Sequence, residues 1–197
     1  DGDDDNATDL RIDADADTVT LGDGNQFAGD DYFIDNRSSQ SFDLTALTET
    51  SYESLVPGTN DFAIEDKMFH GPDDVASGVI TWVAGNLFVT APGTGASDET
   101  IQNAIDVATA DDQINLDAGE YAEGPQIVVD KNLTIVGQGM ASTTVRTTGN
   151  TGSSGDARGW WLVQPGVDLD LSGMKLDGSG YNVHQGIRHL GTGTIDH

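Results

Sequence analysis

The sequence predicts an all-β chain wound as a parallel β-helix with one capping helix, and three observations carry that prediction. Short apolar runs follow one another closely: Ile114 to Leu116, Ile127 to Val129, Leu133 to Val136, and Val145 with its neighbours. Gly, Asp and Asn stand between them, leaving no room for wide hairpins. That spacing suits a chain that coils, each coil laying flat strands on the one below. Just before these runs, Ile101, Ala104, Ile105 and Ala108 fall at i, i+3, i+4 and i+7. They form one apolar stripe, which predicts an amphipathic helix over 98–109 that covers the bottom of the stack. Ser97 or Asp98 can cap its first turn.

A resemblance rests on the same stretch. Its helix carries Ile101, Gln102, Ala104, Ile105 and Asp106; then come Asp112, Ile114, Leu116, Gly119 and Tyr121. Ile127, Val129, Lys131, Asn132, Leu133, Thr134, Ile135, Gly137 and Gly139 complete the pattern. In this order the residues resemble the start of right-handed parallel β-helix domains of the pectate-lyase-like superfamily, of the kind found on bacterial surfaces. The resemblance covers residues 98–197 and is specific for fold. The superfamily spans polysaccharide lyases, hydrolases, esterases, phage tailspikes and adhesins, so the fold alone selects none of these activities. Later coils are expected at Trp160 to Val163, 169–171, 174–176, 187–190 and 194–195, with Leu133, Ile135 and Gly137 matched to Leu169, Leu171 and Gly173.

The first half is organised differently. Residues 1–35 read as an acidic segment with one β-helix-like coil, its apolar positions being Leu10, Ile12, Val19, Leu21 and Phe33. Residues 36–97 read as a connecting region: a Ser/Thr-rich loop to residue 60, a helix over 61–70 with Ile64 and Met68 on one face, and a β-hairpin. The hairpin is expected because V-I-T-W-V (79–83) and L-F-V-T (87–90) flank A-G-N. Trp82 is assigned to the core of this region. Ala91 to Ala96, with Pro and Gly, makes a linker into the capping helix.

The formal net charge is −26, with 8 Lys and Arg against 34 Asp and Glu. Such a surface repels phosphate backbones, which excludes nucleic acid as a partner. It attracts cations, and three causes stay open: a solvated coat for a salty environment, Ca²⁺ sites in turns, or a basic partner. Asp1, Asp3 and Asp5 occupy the first ligand positions of an EF-hand-like loop, although Asn6 and Ile12 break the pattern further on. A-G-D-D-Y-F resembles half of a calcium-binding repeat-in-toxin nonapeptide, so Asp30 and Asp31 are further candidate ligands. Cysteine is absent, which removes disulfides and thiol chemistry. No apolar run is long enough to span a membrane. No signal peptide is visible, and the opening D-G-D-D-D reads as a mature form or an excised piece.

Catalytic signatures of the serine-triad, zinc, phosphate-loop and dinucleotide types are missing. Asp177, His184, Arg188, His189 and His197 bring acid, base and cation together near one another in sequence, as β-elimination or glycoside hydrolysis needs. Their density is what a turn-rich segment supplies by chance. The expected function is therefore an extracellular or cell-surface structural module of an adhesin, sheath or filament. It would assemble head to tail with copies of itself or with neighbouring tandem modules. The alternative is a polysaccharide-active enzyme or carbohydrate-binding module.

Overall fold

The computed structural model describes residues 8–93 and 99–196. The chain is mostly β, and every pairing between its strands is parallel. The first group comprises β1 (Thr8–Ile12), β2 (Gln26–Phe27), β3 (Tyr32–Asn36), β4 (Phe42–Asp43), β5 (Ser51–Tyr52), α1 (Asp61–Glu65), β6 (Met68–Phe69) and β7 (Ile80–Thr81). Its sheets run β1-β3-β6, β2-β5 and β4-β7. The strands of residues 10–35 thus find their partners within the chain: β1 on β3, β3 on β6 and β2 on β5. Ile12, Phe27, Phe33, Ile34, Tyr52, Ile64 and Met68 fill this group's core.

The second group begins with β8 (Asn86–Val89) and α2 (Ile101–Val107). It continues through β9 (Gln113–Leu116), β10 (Gly119–Glu123), β11 (Ile127–Val129), β12 (Leu133–Val136), β13 (Thr143–Thr147), β14 (Gly159–Val163), β15 (Leu169–Ser172), β16 (Lys175–Asp177) and β17 (Gln185–His189). The chain visits three sheets in rotation, β8-β9-β12-β15, β10-β13-β16 and β11-β14-β17. Registers align the inward residues into columns. Leu87 lies on Ile114, which lies on Ile135 and then Leu171. Tyr121 lies on Val145 and Leu176, and Ile127 on Trp161 and Ile187. The period of two puts these residues inside and their neighbours outside. The matching of Leu133 with Leu169 read from the sequence is the pairing register. Gly137 and Gly173 are set by the same stacking: a Cβ on either would lie 2.4 Å from the other's carbonyl oxygen, and Gly173 has φ +68°.

Helix α2 covers the first strands of all three sheets, packing against β8, β10 and β11. Its stripe residues Ile101, Ala104, Ile105 and Ala108 are buried as expected. Gln102 acts like a strand edge: its Oε1 accepts from Val128 N at 2.8 Å and its Nε2 donates to Val128 O at 3.2 Å. Glu123 Oε1 accepts from Ile101 N at 2.7 Å. Lys131 Nζ donates to the carbonyls of Ile105, Asp106 and Ala108, closing the helix C-terminus. The N-cap is Thr100, whose side chain accepts from Asn103 N; Ser97 and Asp98 lie outside the described residues.

Two expectations for the region before α2 are corrected. The β-hairpin does not form. Ile80 pairs with Phe42 and Leu87 with Ile114, both in parallel, so the A-G-N turn is a corner between sheets rather than a reversal. Burial explains the choice: Phe88 packs into the first core, while Leu87 and Val89 pack into the second. A hairpin would leave one of those faces in water. The helix expected over 61–70 ends at Glu65, because Met68 is drawn into the sheet opposite Ile34.

Candidate functional site

The acidic candidates are taken first. Asp30 and Asp31 line a cleft of about 400 Å³ with Glu53, Asp66 and Lys67. Lys67 Nζ stands among these carboxylates: it donates to Gly29 O at 2.9 Å, lies 3.6 Å from Glu53 Oε2, and sits over the Phe33 ring at 4.9 Å. Lys67 therefore already supplies a positive charge there. Among the described residues, no three His, Asp or Glu side chains are grouped to hold a metal ion. Asp1, Asp3 and Asp5 lie outside the described residues.

The acid–base cluster of the last coils is not one constellation. Asp177 is held well below the usual carboxylate range by the Ser179 hydroxyl first, then by Ser179 N–H and Lys175. Arg146 also approaches it, at 3.8 Å. His184 turns instead to Thr151, its Nδ1 3.4 Å from that hydroxyl oxygen. Arg188 pairs with Asp156 at 3.0 Å. His189 follows Arg188 on the same strand and so points to the opposite face, in register with Val163. His197 lies outside the described residues. Trp82 is 6% exposed, stacks on Phe88 with ring centroids 5.5 Å apart, and donates through Nε1 to Asp61 at 3.0 Å. It has no free face for a sugar.

The most unusual chemistry lies where the two groups of strands meet, at residues the sequence reading did not single out. Glu65, His70 and Glu99 are 0%, 1% and 2% exposed. Glu65 is the last residue of α1, placed inward by the same turn that buries Ile64. His70 follows β6, and its imidazole is fixed from both sides. Ile80 N–H donates to His70 Nδ1 at 3.0 Å, so Nδ1 is an acceptor and the ring proton sits on Nε2. That Nε2 donates to Glu65 Oε1 at 2.7 Å. Glu65 also hydrogen-bonds to Glu99, which precedes α2 and accepts from Thr90 N–H.

Two carboxyls can share a hydrogen bond only if one of them carries a proton. Burial pushes the Glu65 carboxyl well above its ordinary value; the nearby Asp73 charge adds to the rise and the hydrogen bond with Glu99 opposes it. Burial pulls His70 down to about 4, against a smaller opposing effect from Asp73. Burial thus favours the neutral forms of both His70 and Glu65, so their 2.7 Å contact is a hydrogen bond rather than an ion pair. No local pattern marks these residues: each is an ordinary polar residue near a turn, and only folding brings the three segments together. All three side chains are sealed from solvent. No protein-family model, no curated protein and no solved structure matches the chain.

Proposed function

We propose that the chain is an extracellular structural module, a right-handed parallel β-helix of the pectate-lyase-like type whose α2 caps the second stack. The observation that carries this reading is the unbroken in-register stacking of three inward columns, with Leu87, Ile114, Ile135 and Leu171 in one of them. Parallel strands in one sheet need crossovers, and these are right-handed in almost all proteins, which supports the handedness. Such a stack satisfies the backbone groups of each layer from the layers above and below, so it extends and resists rather than opens. The acidic candidate site holds its own lysine, and Asp177, His184 and Arg188 of the last coils are each engaged elsewhere. Neither favours catalysis.

Assembly is head to tail, with copies of the chain or with tandem modules. Two faces support this. Among the described residues, strand β1 is bonded on one side only, to β3. At the other end of the molecule Leu176 and Ile187 are only partly buried, and Ile195 is 48% exposed. A strand edge set against an apolar layer is a template for addition, and a contact between unlike faces propagates. Sedimentation over a range of concentrations, with electron microscopy, tests the proposal. Concentration-dependent growth that Ile195→Asp abolishes is the expected result. A parent chain that stays monomeric at high concentration, or growth unaffected by Ile195→Asp, overturns it.

A further inference from the structure

On β16, Leu176 faces inward and packs on the second core, so its neighbours Lys175 and Asp177 face outward. Asp177 ends a row of alternating charge across that sheet. Glu120 lies 2.9 Å from Arg146, and Arg146 lies 3.8 Å from Asp177. Strand β1, in the other group of strands, has the same pattern. Leu10 packs on the first core, and Asp9 and Arg11 flank it on the outward face. Arg11 begins a second row, 3.3 Å from Asp35, its register partner on β3. One row ends on a carboxylate and the other begins on a guanidinium. We propose that β1 of one copy seats in parallel on β16 of a second copy, with Leu10 on Leu176, Arg11 on Asp177 and Asp9 on Lys175. This seat presupposes head-to-tail assembly and fixes its register.

Three sides of the last layer could receive β1, and charge and winding order separate them. Leu10 on Ile187 of β17 would set Arg11 against Arg188, and like charges directly opposite each other destabilise a strand pair. Leu10 on Ile195 would set Arg11 against Asp196, which charge permits. Winding order opposes that seat. The chain passes from β15 to β16 to β17 and then returns to the β15 side, where Thr192 bridges to Asp168 and Ile195 to Leu171. That side already stands one layer higher, so a layer that keeps the same rotation meets β16 first. Val19 and Leu21, partly buried on the first core, then follow β1 toward Ile187, partly buried on the second.

Local pairing also has to offset a general repulsion, because each copy carries a formal charge of −26. Residues 1–145 hold 29 Asp and Glu against 4 Lys and Arg, whereas residues 146–197 hold 5 against 4. The near-neutral tail is the part on which an acidic head docks with least opposition. Arg11 keeps Asp13 at 2.8 Å and Asp35 at 3.3 Å, and a guanidinium has more N–H donors than these two partners use. Lys175 and the Ser179 N–H, at 3.1 and 2.9 Å, hold Asp177 in place to receive it. Asp9 accepts from Gly29 N–H at 2.6 Å and keeps that bond while it faces Lys175.

The chain has no cysteine, so introduced pairs report the seat directly. Residues opposite each other in neighbouring strands lie about 4.8 Å apart, a separation that a disulfide spans. Leu10→Cys with Leu176→Cys is oxidised at a concentration where the parent sediments as growing assemblies. A ladder of covalent multimers on denaturing gels is expected. Leu10→Cys with Ile187→Cys, and Leu10→Cys with Ile195→Cys, should give none. Charge supplies a second readout. Arg11→Asp and Asp177→Arg, each checked for folding by circular dichroism, should raise the concentration for half-assembly by about tenfold. An equimolar mixture of the two should assemble like the parent, because the altered head of one meets the altered tail of the other. A parent that stays monomeric overturns head-to-tail assembly and this seat with it. A parent that grows, but ladders through Ile187→Cys, through Ile195→Cys or through no pair, overturns the seat alone. Folded charge variants that do not rescue each other do the same.

Discussion

Replacing Ile105 with Ala tests whether α2 covers the second stack. Ile105 is fully buried in the core it shares with Val89, Tyr121 and Ile127. The substitution removes roughly three CH₂ equivalents at about 0.8 kcal/mol each, or about 2.4 kcal/mol of transfer energy. A cavity term adds to this because helix and strands cannot fully close the gap, which places the total within the range of about 2–5 kcal/mol seen for such truncations. For a chain of this length each kcal/mol lowers Tm by roughly 2–4 °C, so a mid-range loss of about 3 kcal/mol is worth roughly 6–12 °C. Circular dichroism melts at fixed pH and salt provide the assay. Asp106→Ala serves as the control, since Asp106 lies on the exposed face of the same helix. If Ile105→Ala melts with its parent, or if Asp106→Ala falls as far, α2 does not seal the stack and the account of its apolar stripe is wrong.

Other expected outcomes follow from single contacts. Tyr121→Phe removes the hydroxyl that donates to Val89 O and Asp117 O, at 2.9 and 3.0 Å, and should cost about 1–2 kcal/mol in urea titrations. No change would mean water replaces it. Gly137→Ala places a Cβ 2.4 Å from Gly173 O, where the layers stack backbone on backbone, and should cost about 1–3 kcal/mol or more. A neutral result would contradict the observed layer spacing. If Asp30 and Asp31 take calcium with Glu53 and Asp66, Tm should rise more in Ca²⁺ than in Na⁺ of equal ionic strength, and further in Lys67→Gln, which frees the cleft of its resident charge. Equal Tm values in the two salts would leave only charge screening.

The sequence by itself determined the parts whose information is local and periodic. The stripe of Ile101, Ala104, Ile105 and Ala108 specified a helix and its buried face. The alternation in Q-I-N-L, L-T-I-V and L-D-L-S specified strands and their inward residues, and the repeat of Leu133, Ile135 and Gly137 at Leu169, Leu171 and Gly173 specified their register. Periodicity survives folding because it reports which side chains avoid water.

Tertiary structure decided which strands pair. Val79 to Thr90 carries an acceptable hairpin pattern, yet Ile80 pairs back to Phe42 and Leu87 forward to Ile114, because only that arrangement buries Phe88 and Leu87 in separate cores. It also made the Glu65–His70–Glu99 trio. Each of these residues is unremarkable in its own segment, and their burial together exists only because stacking the two groups strips all three of water at once. Desolvation is a property of the assembled interior, so no stretch of sequence encodes it alone.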